Sequence, residues 1–457
     1  MNKHPFLTVL ALILAAGTWG LAPPSVAAPS QGKSEATSEA HAGLVAANQP
    51  EACQSCHSEI YDQWKDSFHA RATTSPFFRG VATLFNFTVG PKYASECLNC
   101  HATDVKLTGD YQARWQAILA DEPDTPGITC TACHAIRDVK NAPDTSVPVK
   151  MTALKTPFHN VENSPMFKKE VACSGCHDYN NSLALQGDWK KGPACCTTNR
   201  DFKKTEMAKK GVSCQTCHMA PGLDKDPKAW QKALSSSGSI KNTLLGLVNL
   251  NRYAENREFR GHRFPGSHDT DFLKTAVKNS FNVQREGNKA QVKVSIENLT
   301  GHSLPNGCPP RTRIFLRIWL EDADGFEVDS QQEEYGFNFK DKDGFEPVMV
   351  PTAVARGFDH VLEPEATENV RAEFTLPVEG GPFTVKASLI YNYFVIPPPE
   401  AQNRIQQGII RRIQASTPAQ KDYILNVEIP KRMAAMNLLT STYPPVLMWR
   451  AEQRLAP

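Results

Sequence analysis

Five short stretches of the chain share the pattern C-x-x-C-H, and together they use ten of its thirteen cysteines. In this pattern each thiol can add to one vinyl group of a haem, and the next residue presents an imidazole to the iron. The motif residues are Cys53, Cys56 and His57; Cys97, Cys100 and His101; Cys130, Cys133 and His134; Cys173, Cys176 and His177; and Cys214, Cys217 and His218. We therefore predict five covalently attached haems c.

Structural zinc is the alternative use of these cysteines, because paired C-x-x-C knuckles also bind it. Zinc does not require a histidine directly after every second cysteine, and five knuckles would leave one without a mate. The first cysteines of successive motifs are 33 to 44 residues apart, which leaves little protein between neighbouring sites. We expect the haems to lie close enough to exchange electrons and to supply much of the core.

The first motif continues as "CQSCHSEIYDQWKDSFHA", in which His69 follows His57 by twelve residues. Apolar residues from Ile60 to Phe68 recur at intervals of three and four, which predicts a helix. Twelve helical residues extend about 18 Å, too far for His69 to reach the iron that His57 binds. We interpret His69 as the distal ligand of a neighbouring haem; the alternative is a surface histidine at a helix end.

This first stretch resembles the corresponding site of multihaem cytochromes related to the tetrahaem cytochrome of ammonia oxidisers and to hydroxylamine oxidoreductase. Later stretches resemble sites of the same group: "FHNVENSPMFKKEVACSGCHD", "KKGVSCQTCHMAPG", "GHRFPGSHD" and "NLTGHSLPNG". The resemblance covers roughly residues 50 to 395, and its motifs are typical of multihaem proteins rather than of one activity. It implies that His69, His159, His262 and His302 are distal haem ligands, with His268 as a fifth candidate.

The number of histidines agrees with this interpretation. Of thirteen, five belong to the motifs, and His4 and His41 lie near the N-terminus. Six candidates then remain for five irons: His69, His159, His262, His268, His302 and His360. His360 lies in a strand-like stretch without a matching motif, and we leave it out. The sequence therefore predicts five haems with two histidine ligands each.

The N-terminus has the features of an export signal. Lys3 precedes an apolar run over residues 7–22, and Ser25-Val26-Ala27 fits a cleavage site, which predicts a signal peptide over residues 1–27. Residues 28–50 are rich in Ser, Ala and Gln and predict a flexible tether. We expect a periplasmic or extracellular protein without a transmembrane segment. The formal charge of +2 gives no reason to expect a nucleic acid or an anionic membrane as partner.

After residue 275 the sequence changes to alternation with a period of two. Apolar residues alternate over 292–296, 314–320 and 385–391, and the turn signals "REGN", "DADG" and "DKDG" separate such runs. This predicts an antiparallel β-sandwich. The expected fold is α+β and multidomain: a mostly α and loop pentahaem domain over 51–273, the sandwich over 274–397 and a partly helical C-terminal extension over 398–457. If His302, in a Gly/Pro-rich loop of the sandwich, binds an iron, a metal bond joins the two domains.

Three cysteines, Cys195, Cys196 and Cys308, lie outside the motifs, and none is followed by histidine. In an oxidising compartment Cys308 could pair with Cys195 or Cys196 and tie the two domains together. A vicinal Cys195–Cys196 bridge, a free thiol and a thiolate bound to iron are the alternatives. The resemblance predicts none of these cysteines.

The sequence favours an electron carrier over an enzyme. Iron with two histidine ligands has no open position and can only exchange electrons, and such ligation avoids the rise in potential that a methionine ligand brings. Redox proteins would then be the donor and acceptor, in anaerobic or extracellular respiration, and a homo-oligomer or filament is compatible with that role. The alternative is a multihaem oxidoreductase that acts on a small nitrogen or sulfur compound at one five-coordinate haem.

Overall fold

The structure is a computed structural model, and it describes residues 49–91, 95–139, 149–151, 165–180, 193–223, 225–235, 260–307, 312–348, 353–395, 399–403, 417–431 and 443–455. The predicted signal peptide, almost all of the predicted tether, His159 and Cys308 lie outside the described residues. No helix in these ranges is long and apolar enough to cross a membrane.

Short helices form most of the N-terminal region, here called the motif region, over residues 50–274. They are α1 Pro50–Gln54, α2 Ser58–Lys65, α3 Pro76–Val89, α4 Leu98–His101, α5 Val105–Thr108, α6 Tyr111–Leu119, α7 Cys130–His134, α8 Val171–His177, α9 Thr198–Phe202, α10 Glu206–Lys209, α11 Cys214–His218, α12 Ala229–Ser235 and α13 Thr270–Lys274. Two small antiparallel hairpins lie among them: β1 Ile136–Val139 with β2 Val149–Met151, and β3 Tyr179–Asn180 with β4 Ala194–Cys196.

Protein-only cores in the motif region are small. One cluster of eight buried side chains joins α3, α4, α5 and α6 around Trp115 and Ile118. A second, of five, surrounds Trp230 of α12. Isolated helices of one or two turns are marginal in water, so these helices need further apolar surface to pack against.

The second half of the chain forms two antiparallel sheets. The strands are β5 Val277–Glu286, β6 Lys289–Asn298, β7 Arg313–Glu321, β8 Glu327–Lys340, β9 Ala355–His360, β10 Thr367–Thr375, β11 Thr384–Asn392 and β12 Val446–Arg454. One sheet has the order β10-β6-β5 and the other the order β12-β11-β7-β8-β9. The α+β class predicted from the sequence is confirmed.

The sandwich core follows the predicted alternation. Val292, Val294 and Ile296 of β6 are buried, and so are every second residue of β7 and most of β11. These side chains belong to one cluster of 26 buried residues that draws on both sheets. The predicted turns lie at strand ends, where Gly287, Gly325 and Gly344 take φ values of 63°, 85° and 79°, a backbone conformation that glycine adopts without a steric penalty.

The predicted boundary of the sandwich needs one correction. Residues 446–454, assigned from the sequence to a separate C-terminal extension, form β12 at the edge of the five-stranded sheet, where it pairs with β11. The alternation of β12 is irregular, with a register shift opposite Leu389 and Ile390, and within the strand only Met448 is fully buried. An edge strand with one buried side chain has too little hydrophobic periodicity to be recognised from sequence. A helix, α14, lies over Pro418–Tyr423 within the predicted extension, whereas the stretches from which helix was predicted lie almost wholly outside the described residues.

The loop after β6 lies against the motif region. Ser303 donates a hydrogen bond to Asp201, and Thr198 donates one to Asn306, with donor–acceptor distances of 3.0 and 2.7 Å. At Gly301 a Cβ atom would lie 2.6 Å from the ring of Phe202. Only glycine permits this approach, which brings His302 of the same loop toward the motif helices.

Candidate functional site

Each C-x-x-C-H motif lies on one turn of helix or directly before one. Two of the motifs coincide with whole helices, α7 and α11, and those of α4 and α8 end at the motif histidine. His57 directly precedes α2. Because residues three and four apart share a helix face, this turn presents both thiols and the imidazole on one side. That arrangement is what attachment of one planar macrocycle requires.

Side-chain caps fix where two of these turns begin. The Thr129 hydroxyl accepts a hydrogen bond from the backbone N–H of Ala132, so that α7 starts at Cys130. Ser213 and Thr216 form a capping box that starts α11 at Cys214. Such caps stabilise a helix by about 1 kcal/mol, a useful contribution for a helix of five residues.

Thiols of different motifs lie next to one another, and all ten are free rather than paired in disulfides. Hydrogen bonds between thiols lower the pKa of Cys53, beside Cys130, and of Cys176, beside Cys100, to about 7. A hydrogen bond from Cys173 likewise lowers the pKa of Cys214. The first motif therefore meets the third, the second meets the fourth, and the fourth meets the fifth.

The third and fourth motifs are also neighbours. Burial, together with the nearby thiol of Cys176, raises the pKa of Cys133 to about 12. The fourth motif thus lies beside the second, the third and the fifth. This arrangement of thiols is a branched array with the fourth motif at its branch point.

Three motif histidines each face a second histidine, and the distance is the same in all three pairs. The ring centroids of His177 and His69 are 6.2 Å apart, and so are those of His134 and His262 and those of His218 and His302. Each pair joins segments that are distant in the chain. Three of the histidines predicted as distal ligands are thus brought opposite motif histidines.

The spacing of these pairs fits a metal ion between the two rings. Imidazole nitrogens lie about 2 Å from the metal they bind, as in zinc sites, so two rings on opposite sides of one metal have centroids about 6 Å apart. The described residues contain no cluster of three or more His, Cys, Asp or Glu side chains that could hold a metal ion. A haem needs only two axial ligands from the protein, and the observed pairs provide that number.

Backbone carbonyls orient four of the imidazoles. The Nδ1 atoms of His101 and His218 lie 3.2 and 2.8 Å from the carbonyl oxygens of Ala72 and Pro265. Nδ1 of His262 lies 2.9 Å from the carbonyl of Arg260, and Nδ1 of His302 lies 3.1 Å from that of Ser303. A carbonyl that accepts the Nδ1 proton leaves Nε2 free to bind a metal and fixes the ring orientation.

Burial keeps these imidazoles neutral, which is the form that binds metals. It lowers the pKa of His69 to about 3 and the pKa values of His101, His218 and His262 to about 4. It also lowers the pKa of His302. Near neutral pH the rings are therefore uncharged.

Residues 260–269, here called the strap, form an irregular segment that contacts several motifs. It carries His262, and the backbone N–H of that residue donates to Gln63 of α2 at 2.8 Å. The N–H of Gly261 donates to the carbonyl of Met219, directly after the fifth motif, at 2.9 Å. The sequence singled out this segment for its histidines only. Its other contacts carried no sequence signal.

The structure places His268 in a different setting from the paired histidines. Its ring stacks on Phe68 with centroids 4.0 Å apart, and among the described contacts it faces no motif histidine. The ring of Phe68 also contacts Tyr393 and Tyr443. Burial, opposed by the charge of Asp269 and aided by that of Arg71, lowers the pKa of His268 to about 4.

Among the described residues, the ring that stacks on His101 is a phenyl group. Phe78 stacks on the imidazole with centroids 4.1 Å apart. His360, left out as a ligand, contacts the ring of Tyr335 at a tilt of 42° and lies at the end of β9, with its Nδ1 atom 3.0 Å from the carbonyl of Glu334.

Of the three cysteines outside the motifs, the structure describes one thiol. Cys196 is buried and free, and its Sγ atom lies 3.3 Å from Oγ1 of Thr198. The proposed bridges through Cys196 are therefore absent from the structure. A Cys195–Cys308 bridge stays a prediction, because the Cys195 side chain and the whole of Cys308 lie outside the described part.

Comparison with known proteins gives two matches. Residues 52–135, which carry the first three motifs, match the model of the family described as cytochrome c554 and c-prime. A solved structure, a penta-heme cytochrome c552 from Thermochromatium tepidum, is similar with a TM-score of 0.57 and 20% sequence identity, over 89% of this chain and 98% of that one. At that identity the likeness shows a shared fold. No curated protein matches the sequence significantly. The two matches together support a multihaem c-type cytochrome.

Proposed function

We propose that the chain is an exported electron-transfer protein that carries electrons along five covalently attached haems c. The observation that carries this proposal is the set of three histidine pairs with ring centroids 6.2 Å apart. We further propose a relation to the tetrahaem cytochrome of ammonia oxidisers and to hydroxylamine oxidoreductase, which the sequence motifs suggest. The penta-heme neighbour, by its description, supports the number of five.

The five motifs supply the attachment thiols and the proximal imidazoles. His69 is the distal ligand opposite His177, His262 is the one opposite His134, and His302 is the one opposite His218. His159 and His268 remain the candidates for the haems of the first and second motifs. A bound haem c supplies an iron that gains or loses one electron. The paired imidazoles would hold the iron from both sides and would leave no position open to a substrate.

The neighbouring thiols determine how electrons travel. Thioether links at Cys53 and Cys130 would bring the edges of the first and third haems together, and the links at Cys100 and Cys176 would do the same for the second and fourth. Through Cys173 and Cys214 the fourth haem meets the fifth. The fourth haem then connects three routes, and the first, second and fifth haems end them.

The first motif is the candidate contact point for a redox partner. Cys56 is exposed, whereas the other nine motif cysteines are at least half-buried. Electrons tunnel best where a haem edge reaches the surface, so a donor or acceptor protein would dock there. A homo-oligomer or filament that brings such edges together is compatible with this role. The predicted signal peptide favours a periplasmic or extracellular location.

The test combines haem content with spin state. The intact mass of the purified protein should exceed that of the polypeptide by five haem units, and the ferric protein should give only low-spin EPR signals. Carbon monoxide should bind negligibly to the reduced form, because imidazoles fill the axial positions. Bound zinc, or fewer than four haems in fully matured protein, would contradict the proposal.

A second candidate function, an oxidoreductase that acts on a small nitrogen or sulfur compound, is favoured by the setting of His268. It faces no motif histidine in the described contacts, the charge of Arg71 acts on it, and the ring of Phe68 on which it stacks also contacts Tyr393 and Tyr443. A cation, an imidazole and phenols are the groups that such chemistry needs beside an open iron. A high-spin ferric signal equal to one haem, with carbon monoxide binding and turnover of hydroxylamine or nitrite lost in His268→Ala, would establish this function instead.

A further inference from the structure

The three opposed histidine pairs differ in the angle between their rings. The planes of His134 and His262 are 15° apart, and those of His218 and His302 are 19° apart, so both pairs are nearly parallel. The planes of His69 and His177 are 56° apart at the same centroid distance. The spacing is equal and the rotation is not, so a further contact must turn one ring of the His69–His177 pair.

Hydrogen bonding distinguishes the same pair. The Nδ1 atoms of His262 and His302 each lie within hydrogen-bonding distance of a backbone carbonyl, which fixes their rings. The Nδ1 atom of His69 is buried and has no hydrogen-bond partner in the described residues. The rotation of the His69 ring is therefore set by packing rather than by a polar anchor.

Phe264 provides that packing. Its ring centroid lies 4.6 Å from that of His69, with the planes 57° apart, and 5.6 Å from that of His262, with the planes 78° apart. The phenyl group thus fills the space between the two imidazoles. A ring in this position blocks the rotation that would bring His69 parallel to His177.

The backbone of Phe264 is strained. Its φ is 47°, which is rare for a bulky residue, and a following proline disfavours helical conformations further. Such strain persists only where the surroundings impose it. Here the next residue is held by the fifth motif, because the carbonyl of Pro265 accepts a hydrogen bond from His218 Nδ1 at 2.8 Å.

We propose that Phe264 is a positioning residue that wedges the ring of His69 away from the plane of His177 and so sets the haem of the fourth motif apart from those of the third and fifth. The proposal rests on the ligand pairs of the proposed function and adds to it. Phe264 contacts the rings of His69 and His262 and acts through His69.

Two electronic consequences follow for the His69–His177 pair. Two parallel imidazoles donate to the same iron d orbital. The energy of that orbital then differs from that of the second d orbital of the same kind, which gives a rhombic low-spin EPR signal. Strongly turned imidazoles leave the two orbitals nearly equal in energy and give a signal with a large maximum g value. An imidazole whose N–H lacks an acceptor is also a less basic ligand, which favours the ferrous state. The branch point of the array is then the haem with the highest potential among the three.

The experiment is EPR of the intact holoprotein during stepwise one-electron reduction by dithionite. The wild-type protein should show rhombic signals and one large-g signal, and the large-g signal should disappear first on reduction. In Phe264→Ala the large-g signal should be replaced by an additional rhombic signal, while Phe264→Leu, which keeps most of the bulk, should retain it.

Phe272→Ala is the matched control. Phe272 is also an aromatic neighbour of an axial imidazole, with its centroid 5.6 Å from that of His218, and its removal should leave the large-g signal unchanged. Phe264→Gly removes the ring and relieves the strain at positive φ, so it should give the same spectrum as Phe264→Ala with a higher melting temperature. It also provides the test if the alanine variant does not accumulate.

The outcomes separate this proposal from the one on which it rests. A wild-type spectrum with a high-spin haem that His69→Ala does not change would show that His69 is not a ligand, and would overturn both. A large-g signal that persists unchanged in both Phe264→Ala and Phe264→Gly would leave the ligand pair in place and overturn the role of Phe264. Loss of that signal in Phe272→Ala to the same extent would also overturn it.

Discussion

The motif region and the sandwich differ in how their cores are built. A cluster of 26 buried side chains fills the space between the two sheets, whereas the main cluster among the described residues of the motif region has eight. In the motif region, thiols of different motifs lie beside one another and three motif histidines face a second histidine; we propose that haems fill the spaces between them. Its fold therefore depends on what fills those spaces, and the fold of the sandwich does not.

Production of the chain without haem attachment should affect the two regions most differently. The motif region should lose its structure, because its helices would have only small clusters to pack on, and the sandwich should persist. Limited proteolysis with mass spectrometry should then yield a resistant fragment that begins near residue 270 and retains the strand signal in circular dichroism. Equal resistance of both regions would show that the motif helices fold by themselves.

Truncation of the sandwich core should produce the converse result. Leu316 of β7 is completely buried, and Leu316→Ala should reduce the free energy of unfolding of the sandwich by about 2–5 kcal/mol. Denaturant titration followed by circular dichroism measures the loss, while the Soret band should stay low-spin. Leu447→Ala, at a half-exposed position of β12, serves as the control and should change the stability by less than about 0.5 kcal/mol.

His302→Ala tests the link between the two regions. One of the five haems should become high-spin, because the imidazole opposite His218 is lost, and cleavage by proteases near residues 270–285 should increase as the sandwich loosens. EPR and timed proteolysis provide the measurements. His360→Ala is the control, because among the described residues His360 contacts Tyr335 and Glu334 and no motif histidine. It should change neither the spin state nor the rate of cleavage. A low-spin spectrum in His302→Ala would identify His302 as an ordinary loop histidine.

The smallest effect is expected at Glu365, which also bridges the two regions. Its carboxylate accepts hydrogen bonds from the backbone N–H groups of Glu206 and Met207 at 2.6 and 3.2 Å, at the start of α10. Glu365→Ala should lower stability by roughly 0.5–2 kcal/mol, as for the loss of a helix cap, and Glu365→Gln by less. Thermal unfolding measures the change. Glu363→Gln, at an exposed neighbouring carboxylate, should have no effect, and an equal loss there would exclude the cap as the cause.

The sequence predicted the sandwich well because its strands follow a physical rule that is local. Alternation over 292–296, 314–320 and 385–391 gives three of the strands, and glycines in the turn signals take the left-handed conformations that those turns require. β12 was not predicted, because this edge strand buries only one side chain and therefore lacks a clear apolar alternation. The motif turns were predictable for a different reason, since attachment chemistry fixes the spacing of Cys, Cys and His.

The pairing of histidines could not be predicted from the sequence. His69 lies twelve residues after the first motif yet faces the fourth, and His302 comes from the other domain to face the fifth. These pairings depend on how the strap and the β6 loop pack, which no local pattern encodes. The proposed role of Phe264 in positioning His69 could not be predicted for the same reason. Only the adjacent proline indicates a restricted backbone.

The close approach of thiols from different motifs has a consequence for how the protein is made. In the folded chain Cys53 already meets Cys130, Cys100 meets Cys176 and Cys173 meets Cys214. A chain that folded in an oxidising compartment before receiving its haems could cross-link these pairs, and each such disulfide would remove one attachment point from two sites at once. If the proposed haems are attached, we therefore expect their insertion to precede folding, so that the still extended polypeptide would be the substrate of the attachment reaction.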